Sequence, residues 1–281
     1  MKKRLITAAV GIAFFIIILF FSGGIVLNIA VSILSVIAIW EIFVATKYIN
    51  NIPLLVANMV FAFAVPFFRT PYSNDVSKVC ILLFIIALFV IMLKQKVKIE
   101  QIGLVFMLNT VISFAFSSII YLRDLPESPV YHLQPIDGAF FIVFAVGGAW
   151  ITDAGAYFIG RFLGKHKMAP TISPNKTWEG AAGGIIINVI GLVVISWVYS
   201  FFYLKDTGHI NYIAVVIYGV LCAVAAIVGD LAMSFIKRSC NIKDFGNIMP
   251  GHGGVLDRFD SLLLVAPLLY VMLPLLPIVI R

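Results

Sequence analysis

Residues 212–260 read YIAVVIYGVLCAVAAIVGDLAMSFIKRSCNIKDFGNIMPGHGGVLDRFD. Up to Ile236 the run is apolar apart from Asp230 and Ser234, and it exceeds the roughly 20 residues that cross a hydrocarbon layer. Lys237 and Arg238 end it, and the stretch from Ser234 to Asp260 then gathers two lysines, two arginines, three aspartates, a histidine and four glycines. An ionised carboxylate inside a span costs several kcal/mol unless it is paired or metal-bound. This one stretch therefore argues for a membrane span and for chemistry at its polar end.

Composition extends that reading to the whole chain. Of 281 residues, 62% are hydrophobic and only 12% charged, against about a quarter charged in soluble domains. Mean hydropathy is +1.08, and the soluble class is excluded. Breaks in hydropathy give about nine spans, beginning near Leu5, Ile25, Ile52, Ser77, Ile102, Gly138, Gly180, Tyr212 and Asp257. The expected fold is an all-α, polytopic integral membrane protein with its N-terminus cytoplasmic and its C-terminus outside. In that orientation 15 of the 20 Lys and Arg residues lie inside, as the positive-inside rule requires. The apolar run Leu5–Phe21 after Met1-Lys2-Lys3-Arg4 lacks a small-residue cleavage site and is read as a retained first helix. Basic residues sit in short loops, where orientation and anionic lipid account for the net charge of +7; no nucleic acid is expected. Cys80, Cys222 and Cys240 suggest no disulfide framework.

The polar load is lopsided. Residues 1–137 read as a transmembrane scaffold or dimer surface, and residues 138–281 as the catalytic region, with basic inner loops at Arg161–Glu179 and Lys237–Leu256. Asp153 and Asp230 precede the ends of their helices by seven or eight residues, about 10–12 Å inside the cytoplasmic face. Asp257 and Asp260 enter from the same side, three apart and on one helical face. Carboxylate oxygens without a His or Cys cluster favour magnesium over zinc, with Asp230, Asp257 and Asp260 as ligands. The alternative is a helix–helix salt bridge, Asp230 with Lys237 or Arg258. Asp153 is either a further ligand, an orienting group or a partner of Arg161.

Gly251-His252-Gly253-Gly254, just before the Asp257 helix, offers backbone N–H groups suited to phosphate oxygens. Lys237, Arg238, Lys243 and Arg258 can neutralise a polyphosphate, and His252 can contact a phosphate or relay a proton. In Ser173-Pro-Asn-Lys-Thr-Trp-Glu-Gly180 the Lys176-Thr177 pair lacks the glycine spacing of a Walker A loop. Ser173, Lys176 and Thr177 either bind substrate or, for the hydroxyls and Glu179, cap the next helix.

Together, Ser234-x-x-Lys237-Arg238, Lys243-Asp244-x-Gly246, His252-Gly253-Gly254 and Asp257-Arg258-Phe259-Asp260 resemble the signature of the phosphatidate cytidylyltransferases, or CDP-diacylglycerol synthases. Ser173–Gly180 and Asp153-x-x-Ala156-Tyr157 resemble two further blocks of that family, and Met249 stands where Leu, Ile or Phe is expected. The resemblance implies an inner-membrane enzyme that joins CTP to phosphatidic acid with magnesium, giving CDP-diacylglycerol and pyrophosphate for phospholipid synthesis. It also implies a homodimer and a second, monovalent cation such as potassium. On this reading Asp257, Asp260, Lys243, Arg258 and Lys176 are catalytic, with the active site facing the cytoplasm. The rivals are a CTP-dependent lipid kinase, a sugar-phosphate transferase acting on a polyprenyl phosphate, and a cation- or proton-coupled transporter; the last would place paired, broken helices in both halves.

Overall fold

A computed structural model describes residues 11, 13, 15–21, 23–68, 73–127, 133–205, 207–249 and 253–281. Its helices are α1 (Ile25–Ala45), α2 (Ile52–Ala64), α3 (Ser73–Gln95), α4 (Ile99–Arg123), α5 (Pro135–Leu163), α6 (Trp178–Tyr199), α7 (Tyr212–Ser239), α8 (Leu256–Phe259) and α9 (Leu262–Met272). Among the described residues, six helical segments are long and apolar enough to cross a membrane: Ile25–Ala45, Asp75–Gln95, Ile99–Arg123, Pro135–Leu163, Trp178–Leu204 and Tyr212–Ser239. The segments expected to span from Ile52 and from Asp257 are instead shorter apolar helices, Ile52–Phe67 and Leu262–Met272. Proline marks where both close, because Pro66 lies in the last turn of the first and Pro274 follows the end of the second, which carries Pro267 within it. Residues 5–10, 12 and 14 of the expected first span, and His252, lie outside the described residues, while residues 15–20 of that span are helical.

Helices dominate, but the described residues also form two antiparallel two-stranded sheets. One pairs β1 (Lys167–Ala169) with β2 (Ser173–Thr177), and the other pairs β3 (His209–Ile210) with β4 (Val279–Ile280). Cys80, Cys222 and Cys240 are free thiols.

The chain divides into two compact units, residues 1–120 with 240–258 and residues 121–239 with 259–281. In the first, Asn51 caps α2 by accepting from Leu54 N at 3.1 Å. Asn28 Nδ2 donates to Pro66 O at 2.8 Å and Ser32 Oγ to Phe63 O at 2.9 Å, tying α1 to the end of α2. Asn109 Nδ2 donates to Asn58 Oδ1 at 2.7 Å, joining α4 to α2. In apolar surroundings such polar groups must find partners on neighbouring helices.

In the second unit α5 and α6 pack through small residues. A Cβ on Gly183 would stand 2.5 Å from Ile159 Cβ, and one on Gly184 would stand 3.0 Å from Thr152 O. Glycine is what lets the two backbones approach this closely. Asn188 Nδ2 donates to Gly219 O at 2.8 Å, joining α6 to α7. At the start of α5 the buried Asp137 accepts from Arg281 Nε at 2.9 Å, Arg281 Nη2 at 3.0 Å and the Tyr199 hydroxyl. This lock fixes the β4 strand beside β3.

Candidate functional site

The second unit brings together side chains from four places in the sequence. Asp230 lies on α7, and Lys176 Nζ stands 2.6 Å from its Oδ2, an ion pair off the line of a hydrogen bond. Ser234, one helical turn on, donates to Asp230 Oδ1 at 3.2 Å. Asp260 precedes α9, with Lys237 Nζ 3.8 Å from its Oδ2 and Ser261 N donating to its Oδ1 at 2.9 Å. Ser261 Oγ donates to Asp153 Oδ2 on α5 at 2.7 Å. A Cβ on Gly229 would stand 2.7 Å from Asp260 O, so a bare backbone at that point lets the Asp260 turn rest on α7.

Lys176 reaches this cluster because of its hairpin. Pro174 cannot continue a helix, and the chain from Ser173 to Thr177 runs extended against Lys167–Ala169. Thr177 then caps α6, its Oγ1 accepting from Gly180 N at 3.1 Å. Glu179 does not complete a capping box. It turns back to accept from the backbone N–H of Lys165 at 3.1 Å and His166 at 3.2 Å, and pairs with His166 Nδ1 at 2.5 Å. Arg238 Nε donates to Ile172 O at 3.3 Å, holding the hairpin turn.

The electrostatics of the cluster are dominated by Asp260. Its carboxyl, outside the six spans, is pushed up to about 7, first by burial and then by the Asp230 charge; Lys237 opposes the shift and Asp153 adds to it. Among the described residues no group of three or more His, Cys, Asp or Glu side chains forms a ligand cage. Magnesium does not need one, since it takes one or two carboxylates and completes its octahedron with water and substrate phosphates. Asp230 and Asp260, hard oxygen donors near lysines, fit that requirement.

The first unit holds the glycine-rich segment. Asp257 Oδ2 accepts from Phe245 N at 2.8 Å and Gly254 N at 3.0 Å, so this carboxylate organises the loop. Gly253 has φ +86, a left-handed conformation that L side chains resist, and Met249 N donates to its carbonyl at 2.9 Å. Lys243 and Arg258 are exposed. Glu41 of α1 is wholly buried, with Oε1 accepting from Val255 N and Oε2 from Leu256 N, both at 2.9 Å.

Several expected pairings take a different form. Asp230 meets Lys176 of the hairpin, and Lys237 stands by Asp260. Arg161 donates to Tyr157 Oη at 3.0 Å, while Asp153 receives Ser261. Thr177 is a helix cap and Ser173 a strand residue opposite Ala169. Glu41 and Ser261 were not among the expected site residues. Glu41 carried a signal: it is the one charged residue in Ile25–Ala45, and an ionisable group within a span is a functional candidate by default.

The Cytidylyltransferase family model matches residues 2–276. A phosphatidate cytidylyltransferase of Bacillus subtilis (strain 168) is 34% identical over 284 residues, covering 98% of each chain. One from Staphylococcus saprophyticus is 31% identical over 277 residues, covering 97% of this chain and 99% of its own. Over 137 residues, 49% of this chain and 50% of the other, identity to the Staphylococcus haemolyticus protein of that name is 42%.

Proposed function

Because the chain belongs to the cytidylyltransferase family, we propose that it transfers the cytidylyl group of CTP to phosphatidic acid. The products are CDP-diacylglycerol and pyrophosphate, and the reaction serves phospholipid synthesis. The observation that carries this reading is the meeting of Lys176 with Asp230 and of Lys237 with Asp260, beside Asp153 and Ser261. Paired carboxylates and lysines at the ends of apolar helices suit a substrate with an oily tail and a polyphosphate partner.

The lipid phosphate attacks the α-phosphorus of CTP in line; the new P–O bond forms as the bond from α-phosphorus to the pyrophosphate oxygen breaks. A phosphate monoester is largely ionised at neutral pH, so no general base is required, and positioning with charge stabilisation carries the rate. Lys176 and Lys237, with Lys243 and Arg258, offset the charge of the entering and leaving phosphates. The loops holding Ser173, Thr177, Arg238, His252, Gly253 and Gly254 make the nucleotide contacts. Asp230 and Asp260, and on the sequence motif it shares with Asp260 also Asp257, would hold magnesium, which when bound withdraws charge from phosphate oxygens. A monovalent cation beside it, a homodimer, and an inner membrane with N-terminus and site on the cytoplasmic side complete the proposal.

Purified protein incubated with phosphatidic acid, magnesium and CTP labelled in the α-phosphate is expected to yield labelled lipid. Label that enters lipid from the γ-phosphate instead would identify a kinase and reject the proposal, as would no lipid product.

A further inference from the structure

Glu41 is the most deeply committed ionisable group that the reading above leaves without a task. It has no exposed surface, lies in the apolar helix α1, and is more than 200 residues from the groups it touches. Its two carboxylate oxygens take one backbone N–H each, from Val255 and Leu256. Those residues immediately precede Asp257, whose own Oδ2 takes Phe245 N and Gly254 N. Two carboxylates thus hold four backbone N–H groups, that of Phe245 and those of the three successive residues Gly254, Val255 and Leu256.

The glycines beside Glu41 make the same point from the other side of the contact. A Cβ on Gly246 would stand 2.6 Å from Glu41 Oε1, and one on Gly254 would fall closer still to the same carboxylate. Real Cβ atoms do not approach so near, so the loop carries glycine at both positions to admit the Glu41 head. Burying a carboxylate in an apolar span is costly. A purely structural contact between helix and loop would be met more cheaply by an apolar side chain, so the expense points to a need for a fixed backbone.

We propose that Glu41 is a positioning residue: it clamps the backbone at Val255 and Leu256 and so fixes where Asp257 and the N–H groups of Gly253 and Gly254 are presented to substrate. The inference rests on the nucleotidyl-transfer reading for its kinetic part and on geometry alone for the clamp. Glu41→Gln keeps the volume but replaces one acceptor oxygen by an N–H₂ donor facing a backbone N–H. One of the two loop hydrogen bonds must then break.

The test uses the full chain in detergent and reads two quantities. Hydrogen exchange at the Val255 and Leu256 amides is expected to speed at least about tenfold in Glu41→Gln, as expected when a single protecting bond is lost, with exchange in the other helices unchanged. The kcat for CDP-lipid formation is expected to fall about 100-fold, the scale of a small misplacement at a reacting centre. KM for phosphatidic acid stays within about twofold, because uniform binding is untouched. Gly254→Ala pushes against the same carboxylate, so the double variant Glu41→Gln with Gly254→Ala loses no more kcat than the worse single variant. General destabilisation would instead multiply the losses. Unchanged exchange at Val255 and Leu256 would remove the clamp, and faster exchange with a wild-type kcat would remove its positioning role. If the wild-type protein makes no CDP-lipid, the parent reading fails while the exchange measurement still judges the clamp.

Discussion

Lys176→Met asks whether the hairpin lysine is a working cation or only a counter-ion for Asp230. The two side chains are 22% and 26% exposed and stand 2.6 Å apart. Losing such a half-screened pair is expected to cost about 1–2 kcal/mol, between the values for surface and buried pairs. That lowers the melting temperature by about 2–8 °C, at roughly 2–4 °C per kcal/mol for a chain of this size. Far below the melting temperature the folded fraction barely changes. Removing a group aimed at developing charge, by contrast, costs about 100- to 1,000-fold in rate. The two explanations therefore differ by orders of magnitude at one assay temperature. Initial rates of CDP-lipid formation in mixed micelles, beside a thermal-stability curve, separate them. A Lys176→Met protein with kcat/KM for CTP within threefold of wild type would refute the catalytic role, leaving the ion pair as architecture.

Asp257→Asn is expected to abolish turnover while the protein stays monodisperse, since the amide oxygen can still accept from Phe245 N and Gly254 N; near-normal product formation would reject the assignment. Chelation of divalent ions is expected to stop the reaction and magnesium to restore it, measured as labelled lipid. Arg281→Ala strips two charge-assisted hydrogen bonds from the wholly buried Asp137, at about 3–5 kcal/mol. A melting temperature lowered by about 6–20 °C is expected, with kcat unchanged at low temperature; a shift under 2 °C would show the lock to be idle. Thr177→Ala removes the cap on α6 for about 1 kcal/mol, readable as a small thermal shift.

Hydropathy was enough to find the apolar helices because lipid leaves the backbone few options. It was not enough to say which of them run full length. Pro66 and Pro274 lie at the ends of helices whose composition alone reads as spanning. The acidic members of the cluster were legible because Asp153 and Asp230 stand alone in apolar runs. Their partners were not legible: Lys176 is one basic residue of a loop sequence and Lys237 one at a helix end, and only the hairpin's fold decides that Lys176 meets Asp230. Ser261 carries no signal beyond its place after Asp260. Glu41 sat in the half read as scaffold, 214 residues from Val255, and sequence spacing conveys nothing about a contact that long.

The charges of the second unit suggest an order of events. Asp153, Asp230 and Asp260 cluster with Lys176 and Lys237, one negative charge in excess when all are ionised, and partial burial weakens the screening of that excess. Asp260 registers it by holding its proton to about 7, driven by its own burial and then by Asp230. A nucleotide with several negative charges is repelled by such a cluster and a bare phosphate lipid hardly less so. A divalent cation on Asp230 and Asp260 turns the balance to one positive charge, and both substrates then become welcome. Nucleotide binding is accordingly expected to need the divalent ion even when no lipid is present to react. Calorimetry of CTP binding with and without magnesium measures this directly. Equal affinity in the two conditions would mean that Lys176 and Lys237 alone suffice, and that the aspartates serve the lysines rather than a metal.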